Sequence, residues 1–413
     1  MTPASYIDLH TGDLLKDLTH LVRIPTVNPP GENYGAATEW LAGRLSKLGL
    51  RTRRHEISKG LLRRVLPPAQ RGFPRYNVLG KLAVEKSLKT IHFNAHYDVV
   101  PVSGTWAHGG PFSGEVDGGW IHGRGTADMK GSIASLLLAL QSLRATRTPP
   151  RMNVEVSFTA DEETDSILGS EWLVRHAPIN PDYAVVMEGG EEDCICCGHN
   201  GNLWLEVAVR GRAAHGSMPQ DGVNALEKMS ALVLELEGYK RTLARRGFVT
   251  PQGRRMRPTI NVGGVFHCGE GAKVNTVPAH ASFTIDRRIL PNESHGSASR
   301  ELRAFLAAAA RRIPGCRIRV SKISENFSCF RPPAHPFFAA MASSLRRVRG
   351  TRPSFNVSSG FNDMHFFSHE LGIPTLGYGP GGLDFHAVNE RVRVRELVAC
   401  AKVYADILTN FAG

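Results

Sequence analysis

The sequence predicts an α/β protein, a mixed and mostly parallel sheet interrupted by a smaller two-layer α+β insertion. Three observations predict it. Short apolar runs rich in β-branched residues alternate with helical patterns over the first 200 residues, the pattern changes near residue 201, and the first pattern returns after Pro314. In chain order, "TGDLLKDLTHLVRI" and "GAATEWLAGRLSKLGL" space their apolar residues as helices do, and the second ends at Gly49 before "LRTRRHEI" turns to strand. "KTIHFNAHYDVV", "RMNVEVSFTAD" and "DYAVVMEGG" read as buried strands, with the helix "KGSIASLLLALQSL" between the first two. Strand, helix and strand, with both strands buried, imply parallel pairing in a sheet covered on both faces.

"NLWLEVAVRGRAAH" instead alternates apolar with polar residues, as a half-exposed antiparallel strand does. A helix ("NALEKMSALVLELEGYK"), the strands "TINVGGVF" and "HASFTIDRRI", and a helix ("ASRELRAFLAAAARRI") follow, the order of a small two-layer α+β domain. The expected division is therefore 1–200, 201–314 and 315–413, the first and last parts forming one domain.

A chain of 413 residues is long for a single core, and 42% hydrophobic with 21% charged residues is ordinary for a globular enzyme. The longest apolar stretch, "SIASLLLAL", is too short to span a bilayer, and "MTPASYIDLHTGDLLKD" has no basic segment followed by an apolar one. A cytoplasmic location is the expectation. The net charge of +12 comes from scattered basic residues with no interleaved aromatic platform, so neither nucleic acid nor a membrane is an expected partner. Such a surface also suits small anionic substrates. Seven cysteines do not make a disulfide framework, and "CICC" at 194–197 reads as small buried residues rather than a thiolate metal site.

Carboxylates and histidines collect at the ends of the expected strands. His96 and Asp98 end one, Glu162 and Glu163 close another, and Glu188 ends a third. Asp128 lies in the Gly-rich loop "HGRGTADMKGS" and His386 in "GPGGLDFHAVNE". Ligands of open α/β sheets gather at the carboxyl ends of strands, so these groups can share one crevice. Two divalent ions would need mixed imidazole and carboxylate ligands, with one carboxylate bridging. Asp98 is too close in sequence to share the ion of His96 but can accept its other ring N–H. Of the adjacent acids 162 and 163, one can bind metal and the other take a proton from water.

Taken together, "HYDVVPV…W…PFSGEVDGGWIHGRGTADMKG" and "TADEET" resemble the di-zinc amidohydrolase and metallopeptidase family of succinyl-diaminopimelate desuccinylase, acetylornithine deacetylase, aminoacylase and glutamate carboxypeptidase. The resemblance runs from "RIPTVNPPGEN" to "FHAVNERV". It implies a zinc-peptidase-like catalytic domain with an inserted lid and dimerisation domain, two divalent ions (zinc first, manganese or cobalt as alternatives, a single-ion form also open), and a homodimer paired through the lid. His96 and Glu188 would hold one ion, Glu163 and His386 the other, and Asp128 would bridge them. Glu162 would be the general base, Asp98 the partner of His96, and His215 in "GRAAHGSMPQDGVNA" the oxyanion donor from the partner subunit. Asn275 and Arg288 match positions that hold a substrate carboxylate, and Arg287 is expected on the opposite face of the strand. The lid strand "LWLEVAV" is a candidate edge for pairing.

The sequence departs from the family in "SGFNDMHFF", where Gly360 and Phe361 occupy substrate-contact positions. Desuccinylase-like members carry Gly-Thr-Ser-Asp-Gly-Arg there, so Phe361 replaces a Thr and His365 an Arg, while the acid survives as Asp363. "MEGGEED" likewise stands for the usual Gly-Glu-Pro. The expected reaction is hydrolysis of the C–N bond of an N-acyl amino acid or related small carboxylate. A dipeptidase or carboxypeptidase, or a catabolic hydrolase of an aromatic amide or amine, is the alternative on the same scaffold.

Overall fold

The computed structural model describes residues 1–269 and 273–413, which form two compact units. The first comprises Met1–Cys197, Arg331–Asn356 and Asn362–Gly413; the second comprises Gly198–Phe330 with Val357–Phe361.

The first unit is built on a mixed sheet. Its centre is four parallel strands, Asn153–Thr159, Thr90–His96, Tyr183–Val186 and Thr375–Gly377. Tyr76–Leu82 and then Arg51–Glu56 extend one side antiparallel, and Cys194–His199 joins the other side antiparallel to Thr375–Gly377. Almost every residue of Thr90–His96 and Asn153–Thr159 is buried, so both sheet faces are covered, as continuous apolar strands require. The helix Gly131–Ala145 is apolar all round and packs against the Val394–Asn410 helix. Gly49, at φ +95°, closes the Tyr34–Lys47 helix before the Arg51–Glu56 strand, as its position in the sequence implied.

The second unit is a four-stranded antiparallel sheet in the order Thr259–Cys268, His280–Ile289, Gly201–Arg210 and Arg317–Asn326. Leu203, Leu205, Val207, Phe283 and Ile285 meet Leu232 and Leu236 of the Ala225–Leu243 helix and Leu302 and Leu306 of the His295–Arg312 helix, forming a two-layer core. Two sequence expectations change here. The chain leaves this unit at Phe330 rather than after 314, because Arg317–Asn326 pairs along the length of Gly201–Arg210 and completes its sheet. For the same reason "LWLEVAV" is an interior strand. The edges are Thr259–Cys268 and Arg317–Asn326.

None of the seven cysteines forms a disulfide, and burial raises the Cys194 and Cys197 thiols, as suits small core residues. Among the described residues no helix is long and apolar enough to cross a membrane.

Candidate metal centre

Parallel strands end on the same side, and the sequence places a ligand-type residue just beyond each central one. His96 is the last residue of its strand. Glu162 and Glu163 begin a single helical turn after Thr159, and Glu188 follows Val186 by two residues. His386 lies in the segment after Thr375–Gly377. Asp128 sits in the turn before the Gly131–Ala145 helix, with non-helical φ −125° and ψ 93°.

These side chains converge. His96 Nε2 lies 3.0 Å from Asp128 Oδ1 and 3.9 Å from Glu188 Oε2. His386 Nε2 lies 3.1 Å from both Asp128 Oδ2 and Glu163 Oε2. Asp128 thus turns one oxygen to each of two imidazoles. Among the described residues, His96, Asp128 and Glu163 form the group whose ligand atoms all lie within 4.8 Å of one another.

The surroundings fit cations. The His96 Nδ1–H donates to the Asp98 main-chain oxygen at 3.0 Å, which turns Nε2 toward the carboxylates. Glu188 Oε2 is buried and accepts no hydrogen bond. Burial, and then the neighbouring carboxylates, push Glu162 and Glu188 well above the usual carboxylate range and raise Glu163. Against the cost of burial, hydrogen bonds from His386 and His96 hold Asp128 low, while Asp128 and Glu163 raise His386 to about 10. So many acids in one buried place demand positive charge. Here protons on the imidazoles supply what divalent ions would supply.

Asp98 stays beside the His96 ring, within ion-pair reach, and plays a second part as well. Its carboxylate is 3.6 Å from His96 Nδ1, beyond a hydrogen bond. The two oxygens instead accept the main-chain N–H groups of Glu162 and Glu163, each at 3.2 Å, and Asn28 Nδ2 at 3.0 Å. Asp98 therefore fastens the Glu162–Glu163 turn to the strand end of His96. The same Asn28 nitrogen reaches Asp161 and Thr164, and Asp161 is itself clasped by buried Arg75 and the Tyr34 hydroxyl. Asp363 accepts from Ser166 and Ser170 and ties down the far end of this turn. His365, at the position of the family's Arg, is buried and donates from Nδ1 to the Asn362 carbonyl.

Glu390 was not among the expected site residues. It is wholly buried and accepts Arg124 Nη1 at 2.6 Å together with the N–H groups of Gly125, Ala127 and Asp128.

The remaining expected residues lie in the second unit. His215 Nδ1 accepts the Ser217 N–H at 3.2 Å, which leaves the proton on Nε2 and makes that atom a donor. Asn275 is exposed, and its carbonyl accepts the Gly216 N–H at 2.7 Å, bringing the two segments together. Arg288 donates to Asp286 from Nε and Nη2, whereas Arg287 is buried on the other strand face and pairs with Glu293. Gly360 N–H donates to Ser358 Oγ at 3.2 Å, and Phe361 is half-buried.

Solved structures share this fold. A di-peptidase from Saccharomyces cerevisiae superposes with a TM-score of 0.77 at 17% identity, over 98% of this chain and 97% of its own. A dinuclear metal binding peptidase of Bacillus subtilis gives 0.70 at 13% identity, over 97% and 98%. These likenesses establish the fold. The model of peptidase family M20/M25/M40 matches residues 92–410, and the succinyl-diaminopimelate desuccinylase of Rhodopseudomonas palustris (strain BisA53) is 30% identical over 77% of this chain and 81% of its own length. The chain belongs to peptidase family M20/M25/M40.

Proposed function

We propose that this enzyme hydrolyses the C–N amide bond of an N-acyl amino acid or a related small carboxylate, with water as nucleophile and Glu162 as general base. One observation carries the proposal: the two oxygens of Asp128 address His96 and His386 separately, the arrangement a carboxylate needs to bridge two cations. His96 and Glu188 would hold one ion and Glu163 with His386 the other. The donor set suits zinc first and manganese or cobalt as alternatives. Bound divalent ions supply Lewis acidity and lower the pKa of water toward neutrality.

The protein's own groups do the rest. Glu162, whose carboxylate no ligand assignment requires, takes the proton from the attacking water and returns it to the leaving amine nitrogen. Asp98 keeps that carboxylate in register by holding its main-chain N–H. His215, with its proton on Nε2, is suited to donate to the oxyanion, and Arg288 and Asn275 are the candidates for a substrate carboxylate. The second unit would serve as lid and dimerisation surface, and its edge strand Thr259–Cys268 exposes Val265 and Phe266.

The test is a mass-spectrometric panel of N-acyl amino acids, dipeptides and aromatic amides on protein reconstituted separately with zinc, manganese and cobalt. Cleavage of acyl amino acids, with Glu162→Gln lowering kcat by about 10²–10⁴-fold at unchanged metal content, supports the reading. Cleavage of dipeptides alone would move the enzyme to the peptidase side of its family. Undiminished turnover in Glu162→Gln would end its role as base.

A further inference from the structure

The loop that carries His386 exposes an unusual amount of apolar surface. Leu383, Phe385 and Val388 are 44%, 36% and 38% exposed within one short segment, the last two on either side of His386. The segment is held rigidly. Asp384, His386 and Asn389 have φ of 60°, 59° and 62°, and Asn389 Oδ1 accepts the Ala107 N–H at 2.8 Å. A non-glycine residue adopts such φ at a cost that the surroundings must offset, so the exposure of Phe385 is built in.

Phe385 is also placed by its neighbour across the cluster. A Cβ built on Gly189, the residue after Glu188, would lie 3.4 Å from the Phe385 ring and about as close to two carbonyl oxygens, those of Pro380 (2.9 Å) and Ala127 (3.0 Å). Glycine at 189, where the family has proline, is required by those two carbonyls, and the Phe385 ring lies at ordinary contact distance beside this ligand-bearing turn. Val388 also lies close to the Gly104 backbone: a Cβ built on Gly104, two residues from Trp106, would fall 3.0 Å from a Val388 methyl. The cations bordering this loop are engaged. Arg124 is paired with Glu390, Arg391 with Asp384, and Lys130 donates to the carbonyls of Leu21 and Ile24. An anionic acyl chain lying here would meet apolar walls beside a cluster of acids.

We propose that the His386 loop is the apolar wall of the substrate site, with Phe385 its specificity residue, and that the group abutting the carboxylate cluster is aromatic or bulky aliphatic rather than a dicarboxylic acyl chain. The proposal rests on the amide-hydrolase reading above, and two measurements on the zinc-reconstituted full chain separate them. The first is calorimetric binding of benzohydroxamate and of the monohydroxamate of succinic acid, which share a metal-binding head and differ in the tail. The wall predicts that benzohydroxamate binds about tenfold tighter, the scale an apolar pocket contact supplies, with the preference lost in Phe385→Ala and largely kept in Phe385→Leu. Equal binding by the native protein, or an unchanged ratio in Phe385→Ala at unchanged metal content, overturns it. The second is turnover of N-benzoyl against N-succinyl amino acids. Faster cleavage of the N-succinyl compounds also overturns the wall. No cleavage of any amide, with the hydroxamate preference intact, leaves the wall standing and removes the amide-hydrolase reading.

Discussion

The two halves of the cluster are held by different means. His96, Glu162, Glu163 and Glu188 follow directly from neighbouring parallel strands, so the sheet's many ladder bonds position them. Asp128 and His386 stand instead on turns, His386 with a left-handed φ, and one side chain, Glu390, belongs to the His386 segment while accepting the N–H of Asp128. A sheet-borne ligand has redundant support. A loop-borne ligand depends on a few buried groups, and damage there should reach the metal first.

The contrast can be broken at several points. Asp128→Ala removes the shared ligand, and metal analysis should find both ions lost, with turnover below detection; one retained ion would show that Asp128 does not bridge. Glu390→Ala leaves Arg124 buried without its partner, a loss of about 3–5 kcal/mol in denaturant unfolding. Zinc affinity should fall as well, by about 10–100-fold, the usual scale for groups that orient ligands. Affinity unchanged in that variant would make Glu390 a purely structural residue. Chelation of the native protein should lower its stability by about 2.7 kcal/mol relative to free metal at a hundred times Kd, and should have no effect in Asp128→Ala. Asn28→Ala, on the sheet-borne side, should cost about 1–3 kcal/mol through the loss of its hydrogen bonds to the Asp98 and Asp161 carboxylates, which keep their other partners. It should lower kcat by loosening Glu162 yet leave metal affinity intact. Loss of metal in Asn28→Ala would erase the distinction between the halves.

The candidate ligands were legible in the sequence because each sits just past a strand or in a Gly-rich turn, and their types are few. The groups that hold them were not. Asn28 bonds Asp98 across 70 residues, Arg75 bonds Asp161 across 86, and Glu390 bonds Arg124 across 266. Nothing local marks a residue whose partner is so distant. Asp98 shows the limit within a motif: its spacing from His96 suggested the ring contact, but not that its carbonyl would take the ring hydrogen bond and its carboxylate the next strand's turn. The second unit's boundary was misplaced for a related reason. The alternation of Arg317–Asn326 suits either domain, and only pairing with Gly201–Arg210 assigns it.

The reach of Glu390 also bears on synthesis. Between Arg124 and Glu390 the ribosome must make the whole second unit, and at roughly 5–20 residues per second those 266 residues take roughly 13–53 s. From residue 188 onward in that interval the emerging polypeptide carries His96, Asp128, Glu163 and Glu188 without His386 or the carboxylate that secures the Asp128 turn. The cluster is therefore complete only when the last part of the chain has been made.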